Sequence, residues 1–299
     1  MSQKTLLLDE VGKPLIVGDR LIPQPGKNQL LVKVLVAGLN PHDQRTRDAG
    51  LYVTSMPYVL ANDLVGEVVT AGTGEYSAKF TLGERVFGHT FAEGGFHNDF
   101  NGAVASSGLS DDEASTIPVI VLAGFIALFA SSGHGLPPPF SPEAKSFDFA
   151  SVTLLVIGGG SNTGRAVVEL AKLDGIGRII AIRAITGDEL IYVVDTVNAG
   201  VEQELGVAAL SNTKKGTLIT LRRPDGDFDT ARIGSKSAGY ERRLVLGVSP
   251  VHPDVTMGFW EEVPRCFEVI KGLNADAVNK ALDQYRDGKG AKMNIHPWE

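Results

Sequence analysis

The sequence predicts an α/β protein of two domains, a β-barrel domain and a doubly wound parallel-sheet domain. Three observations predict it. Roughly the first 120 residues carry short apolar runs punctuated by Gly, Pro, Asn and Asp, the pattern of a barrel or sandwich. Residues 152–172 read as a strand, a glycine turn and a helix in direct succession. From residue 152 onward strand and helix patterns alternate, which implies a parallel sheet with crossover helices.

The elements follow in order. Residues 6–8, 30–37, 65–70 and 85–87 are strand-like. The longest apolar run, 117–130, contains Pro118 and is too short to span a bilayer, so it reads as buried interior. Pro137, Pro138 and Pro139 mark an exposed loop between the two zones. Residues 153–157 form a strand, 163–173 a helix and 178–182 a strand. Residues 190–194 then read as a strand, 201–210 as a helix and 217–221 as a strand. Phe259, Trp260, Val263 and Phe267 recur at helical spacing. A second late helix covers 275–286, with Asn274 as N-cap, Val278, Ala281, Leu282 and Tyr285 as its apolar face and Gly288 just past its end. A short strand at 292–295 closes the chain.

The glycine turn carries the first chemical signal. An apolar run ending in Gly158, Gly159 and Gly160 passes through Ser161, Asn162, Thr163 and Gly164 into a helical pattern. Glycines let the backbone turn tightly and approach a pyrophosphate, and a helix N-terminus offers unpaired N–H groups and a positive dipole end. Between a clean strand and a clean helix the pattern favours a dinucleotide; a glycine turn without a ligand is the alternative. An acid at the tip of the second strand would select NAD by binding the ribose hydroxyls. Here Ile182 is followed by Arg183, which favours the 2′-phosphate of NADP(H), a solvated loop arginine being the other reading.

Composition narrows the class. The 299 residues suffice for two domains, and 43% hydrophobic residues suffice for full cores. A net charge of −7 leaves no basic surplus for nucleic acid. The single cysteine, Cys266, forms no internal disulfide and belongs to no Cys/His cluster of zinc spacing, which suits a reducing cytoplasm. The first ten residues carry no long apolar core, so no signal peptide is expected.

Four segments then carry a resemblance that covers nearly the whole chain. They are Ala37-Gly-Leu-Asn-Pro-His-Asp43, Gly50-Leu-Tyr52, Asn62-Asp-Leu-Val-Gly66 with Gly72, and Gly83-Glu-Arg-Val86. Together with the domain order they resemble the medium-chain dehydrogenase/reductase superfamily, in its zinc-free quinone oxidoreductase and fungal enoyl-reductase-like branch. The resemblance implies a GroES-like catalytic domain over 1–121 with a return segment over 259–299, and a Rossmann-like nucleotide domain over 122–258. It implies NADPH-dependent hydride transfer to a quinone or α,β-unsaturated carbonyl, with Asn40 and Tyr52 lining the substrate cleft. Tyr52 would donate to a developing oxyanion and Asn40 would position the acceptor, although Tyr52 reads equally as a half-buried barrel aromatic. Asp43 reads as a cap at a turn or helix start rather than a base. Zinc-dependent relatives carry a Cys where this chain has Asn40 and a His where it has Asn62. With His42, His89, His97, His134, His252 and His296 scattered, no metal is expected. The expected partner is a small-molecule substrate, without nucleic acid or membrane, in a chain that pairs as a homodimer as relatives often do.

One stretch departs from the family pattern. Only residues 183–190 separate two predicted parallel strands, too few for the strand–helix unit that relatives carry there. The nucleotide domain is therefore expected to be internally shortened, with strand 178–182 at a sheet edge. From this comes a second functional reading, a reductase-like protein that binds cofactor weakly or not at all and acts as a binding or vestigial protein.

Overall fold

The structure is a computed structural model that describes residues 1–90, 101–105, 108–180, 190–198, 200–222, 228–245, 267–288 and 291–298. Along the chain the elements are β1 (Ser2–Leu7), β2 (Ile16–Leu21), β3 (Leu30–Leu39), α1 (Pro41–Ala49), β4 (Asp63–Ala71), β5 (Arg85–His89), β6 (Asn101–Val104) and α2 (Asp111–Thr116). Then come α3 (Pro118–Phe129), β7 (Thr153–Ile157), α4 (Asn162–Leu173), β8 (Arg178–Ile180), β9 (Tyr192–Asp195), α5 (Gly200–Ala209), β10 (Gly216–Thr220), α6 (Thr230–Ile233) and β11 (Tyr240–Leu244). The last are β12 (Phe267–Lys271), α7 (Ala275–Arg286) and β13 (Lys292–His296). The chain divides into two units, Met1–Val119 with Arg265–Glu299, and Ile120–Pro264.

The first unit is built on a sheet ordered β12-β13-β3-β4-β5-β6, with β1 and β2 paired as a separate hairpin. Register shifts interrupt the β3–β4 ladder between Leu31 and Val32 and between Val34 and Val36. Such irregularities bend and twist a sheet. Gly66 lies opposite Val34 in this ladder, and a Cβ there would collide with the Val32 side chain and the Lys33 backbone, so the two strands approach closely only because it is glycine. Leu6, Leu8, Tyr58 and Leu60 form one core with Val278, Ala281 and Leu282 of α7. The N-cap of α7 is Asn274, whose side chain accepts the Ala277 N–H at 3.0 Å.

The second unit is a parallel sheet ordered β11-β10-β9-β7-β8. Apolar periodicity turns Ala166, Val167, Leu170 and Ala171 of α4 inward. Gly124 of the apolar α3 admits this face: a Cβ there would stand 3.3 Å from Leu170 and Val167. A dinucleotide sheet commonly runs 3-2-1-4-5-6. Here β8, β7, β9, β10 and β11 take places 2, 1, 4, 5 and 6, and place 3 has no counterpart among the described residues. Within those residues β8 has one neighbour, β7.

Three differences from the sequence expectations have physical causes. The helix α1 went unpredicted because its buried residues are Asp43, Gln44, Thr46 and Arg47, which leave no apolar stripe. Pro41 at its first position, a capping box and left-handed Gly50 after its end define it instead. Phe267, counted above on a helical face, opens strand β12; residues 259–266 of that expected helix lie outside the described residues. The hairpin strand β2 and the last parallel strand β11 were also not predicted. The first is mostly exposed and the second only half-buried throughout, so neither shows clean alternation. Among the described residues no helix is long and apolar enough to cross a membrane.

Candidate functional site

In the second unit, β7 ends at Ile157 and the chain turns through Gly158 at φ 75°. A Cβ on Gly158 would stand 2.6 Å from Thr196 Oγ1 and 2.7 Å from Val197 Cγ2, so glycine is required twice over, by conformation and by space. A Cβ on Gly164 would run into the carbonyl of Gly158, because the turn folds back on the first turn of α4. Gly160 differs: a Cβ there would meet nothing within 4 Å. Ser161 is the N-cap, its Oγ accepting the Gly164 N–H at 3.0 Å. The Thr196 hydroxyl braces the turn from the end of β9, 3.0 Å from Ser161 Oγ and donating to Ile157 O at 2.8 Å.

Asn162 and Thr163 open α4, so their amides have no intrahelical acceptor and face the positive end of a twelve-residue helix. This is the local geometry that takes a phosphate, with open space at Gly160 to receive it. The turn thus fits a dinucleotide pyrophosphate. Arg183, the expected 2′-phosphate contact, lies outside the described residues. At the neighbouring strand end Asp195 is fully buried and accepts the Val197 and Asn198 amides at 2.9 and 3.0 Å. Burial holds its carboxyl above the usual range despite those two donors.

In the first unit Asn40 lies in a hydrogen-bonded cluster, and the Tyr52 ring packs against His42 of a second hydrogen-bonded set. Asn40, 1% exposed, is the N-cap of α1. Its Nδ2 donates to Asp63 Oδ2 at 2.8 Å, and its Oδ1 accepts Lys292 Nζ at 2.9 Å. Lys292 also donates to Asp63 Oδ2 at 2.8 Å. The other oxygen of Asp63 takes the Val119 amide and His89 Nδ1, each at 3.2 Å. Four donors therefore surround one carboxylate of zero exposure. Burial alone would raise its pKa. The Lys292 ammonium, His89 and the Asn40 amide outweigh burial and hold the carboxyl well below the usual range. Nothing in the sequence pattern pointed to Asp63, His89 or Lys292 as a group; an ionisable residue within each of three strands was the available signal.

Tyr52 sits just past α1 in the left-handed region, at φ 65°, where non-glycine residues need a surrounding that enforces it. Its ring meets His42 edge-on, centroids 6.1 Å apart. His42 Nε2 lies 3.1 Å from Asn62 Oδ1, and Asn62 Nδ2 donates to Thr90 O at 2.8 Å. Tyr52 is 38% exposed, and partial burial raises its hydroxyl pKa against the pull of Arg45. Asp43 caps, as expected: its Oδ2 accepts the Asn40 amide at 2.6 Å and its Oδ1 the Ala61 amide at 3.0 Å.

This donor set does not fit a catalytic zinc. Such a site takes about three Cys, His or carboxylate ligands. Asn40 and Asn62 stand where the resemblance puts the thiolate and the imidazole, and both amides are already committed. An ammonium already stands against Asn40 and Asp63, where it would repel a dication. Among the described residues no group of three or more His, Cys, Asp or Glu could hold a metal ion.

Residues 26–116 match the alcohol dehydrogenase GroES-like domain family. The trans-enoyl reductase tndF of Aspergillus flavipes is 31% identical over 58% of this chain and 52% of its own length. The dehydrogenase orsE of Emericella nidulans is 26% identical over 95% of this chain and 96% of its own. That alignment runs over 337 positions although this chain has 299 residues, so it opens gaps in this chain. The match to the trans-enoyl reductase spans about half of that relative. Among solved structures, a quinone oxidoreductase of Pseudomonas syringae superposes at TM-score 0.72 and 16% identity, covering 99% of this chain and all of that one. A mycobacterial protein complexed with NADPH superposes at 0.67 and 18% identity, covering 98% and 99%. With a GroES-like match over residues 26–116, a glycine turn entering a parallel-sheet unit and sequence similarity to trans-enoyl reductases, the chain resembles the medium-chain dehydrogenase/reductase superfamily, and its fold is that of the quinone oxidoreductase above.

Proposed function

We propose that this chain is an NADPH-dependent reductase that transfers hydride to a quinone or an α,β-unsaturated carbonyl without a catalytic zinc, as a cytoplasmic homodimer acting on a small molecule. The observation that carries the reading is the locked Asn40–Asp63–Lys292 cluster, whose groups are committed to one another rather than to a metal, with Tyr52 nearby as a partly exposed donor. The reduced nicotinamide, when bound, supplies the hydride. The amides of Asn162 and Thr163 hold the pyrophosphate, and Gly160 leaves room for it. Arg183 is the proposed partner of the 2′-phosphate. With its pKa raised, the Tyr52 hydroxyl stays protonated through neutral pH and donates to the oxygen on which negative charge builds. Asn40 touches Lys292 and Asp63, so its part is to hold them in place rather than to contact the acceptor.

The test is NADPH titration by fluorescence, then NADPH oxidation with a crotonyl thioester and with a quinone. Tyr52→Phe should lower turnover about a hundred-fold while leaving NADPH affinity unchanged. A specific observation favours the second reading, a reductase-like protein of weak or no cofactor binding: no strand takes place 3 of the sheet among the described residues. Failure to bind NADPH at millimolar concentration selects that reading.

A further inference from the structure

The first unit holds a feature that hydride transfer does not use. A cavity of about 320 Å³ lies among the strands of the barrel and the segment carrying α7. This volume is about twice that of an apolar cavity that takes benzene, and it falls within the range of small-molecule pockets. Its wall is apolar, with Leu6, Leu31, Val34 and Leu64 from the strands and Leu273 and Val278 from the C-terminal segment.

Charge at the lining is one-sided. Lys4 and Lys33 contribute to it, and no Asp or Glu does. Lys4 is committed, 2.6 Å from Asp19. Lys33 has no carboxylate within ion-pair distance among the described residues: its Nζ stands over the Trp298 ring, 5.3 Å from its centre, and Glu67, opposite it in the β3–β4 ladder, does not pair with it. The Trp298 indole N–H donates to Val34 O at 2.5 Å, which fixes the ring beside that ammonium. An apolar pocket with one cation that no carboxylate neutralises calls for a ligand that is apolar along its body and anionic at one end.

We propose that this cavity binds a medium-chain aliphatic carboxylate, its chain among Leu31, Leu64 and Ile295 and its carboxylate at Lys33. The tail supplies affinity by leaving water, and the head sets orientation through a charge-assisted hydrogen bond. The proposal rests on the first unit alone, so it stands or falls independently of cofactor binding.

The experiment titrates the full chain, without cofactor, with decanoate, and separately with decanol and with acetate, by calorimetry. Decanoate should bind at one per chain, decanol at least about ten-fold more weakly, and acetate not measurably. Lys33→Gln should weaken decanoate about ten-fold and leave decanol unchanged. Ala37→Leu adds volume at a lining position and should abolish both. If Ala37→Leu fails to fold, Lys33→Gln, an exposed side chain, still decides. No decanoate binding, equal decanoate affinity in Lys33→Gln and the parent chain, or uptake that never saturates would each overturn the proposal.

Discussion

Replacing Lys292 by Met tests the buried cluster most directly. Lys292 is 3% exposed and Asp63 fully buried, 2.8 Å apart, and the lysine also holds Asn40. Removing one partner of a buried pair leaves the other charge uncompensated, which costs about 3–5 kcal/mol. For a protein of this size that is a fall of about 10 °C in Tm. Chemical and thermal denaturation at several pH values read both the size and the sign of the effect.

The sign is diagnostic. In the parent chain the folded pKa of Asp63 is depressed, so its contribution is full above the ordinary carboxylate range and is lost as pH falls through the folded value. Without the ammonium, burial dominates and the folded pKa rises above the ordinary value. Stability of Lys292→Met should then fall as pH climbs from about 4 toward neutrality, opposite to the parent chain. Asp63→Asn combined with Lys292→Met removes the orphaned charge and should recover part of the loss. A single variant within about 1 kcal/mol of the parent with the same pH slope would refute the reasoning, as would a double variant less stable than the single.

Gly160→Val should leave the melting temperature unchanged and abolish NADPH binding, because its Cβ meets no protein atom; Gly164→Val should destabilise the fold, because its Cβ meets the Gly158 carbonyl. Unchanged NADPH affinity in Gly160→Val would show that the turn holds no phosphate. Asp174 follows α4 at 8% exposure, neither carboxyl oxygen has a hydrogen-bond partner among the described residues, and burial pushes it up to about 7. A raised carboxyl costs stability as pH rises from about 4 to about 7, so Asp174→Asn should flatten that slope and gain about 2 kcal/mol at pH 8, read by urea denaturation. Elemental analysis of chelator-free protein should find no stoichiometric zinc, and one zinc per chain would overturn the zinc-free reading.

What was legible in the sequence was what neighbours along the chain determine. The strand β7 and the helices α4 and α7 have apolar periodicity, and α4 and α7 also carry side-chain caps at Ser161 and Asn274, so pattern and structure agree there. That Asn40 and Asn62 stand at positions where the resemblance expects metal ligands needs only residue identity at two positions. The contacts those residues make were not legible. Asp63 and Lys292 lie 229 residues apart, and only the pairing of β13 with β3, itself paired with β4, brings them together. Lys33 and Trp298 meet for a similar reason, across nearly the whole chain. α1 escaped because polar residues bury themselves there through hydrogen bonds, which hydropathy does not register.

The cluster also bears on how the proposed chemistry would stabilise charge. A metal at such a site would be a Lewis acid open to the acceptor oxygen. Lys292 is a cation of a different kind: 3% exposed, with Asp63 and Asn40 as its acceptors, its charge is neutralised where it stands. It therefore organises β3, β4 and β13 and contributes little field toward a substrate. Stabilisation of a developing oxyanion then falls to an exposed hydrogen-bond donor. Tyr52 meets that requirement, held by an enforced left-handed backbone against His42, itself tied to Asn62. On this argument the committed Asn40–Asp63–Lys292 cluster and the left-handed backbone at Tyr52 are parts of one arrangement. Lys292→Met should therefore be felt in stability, and Tyr52→Phe in turnover.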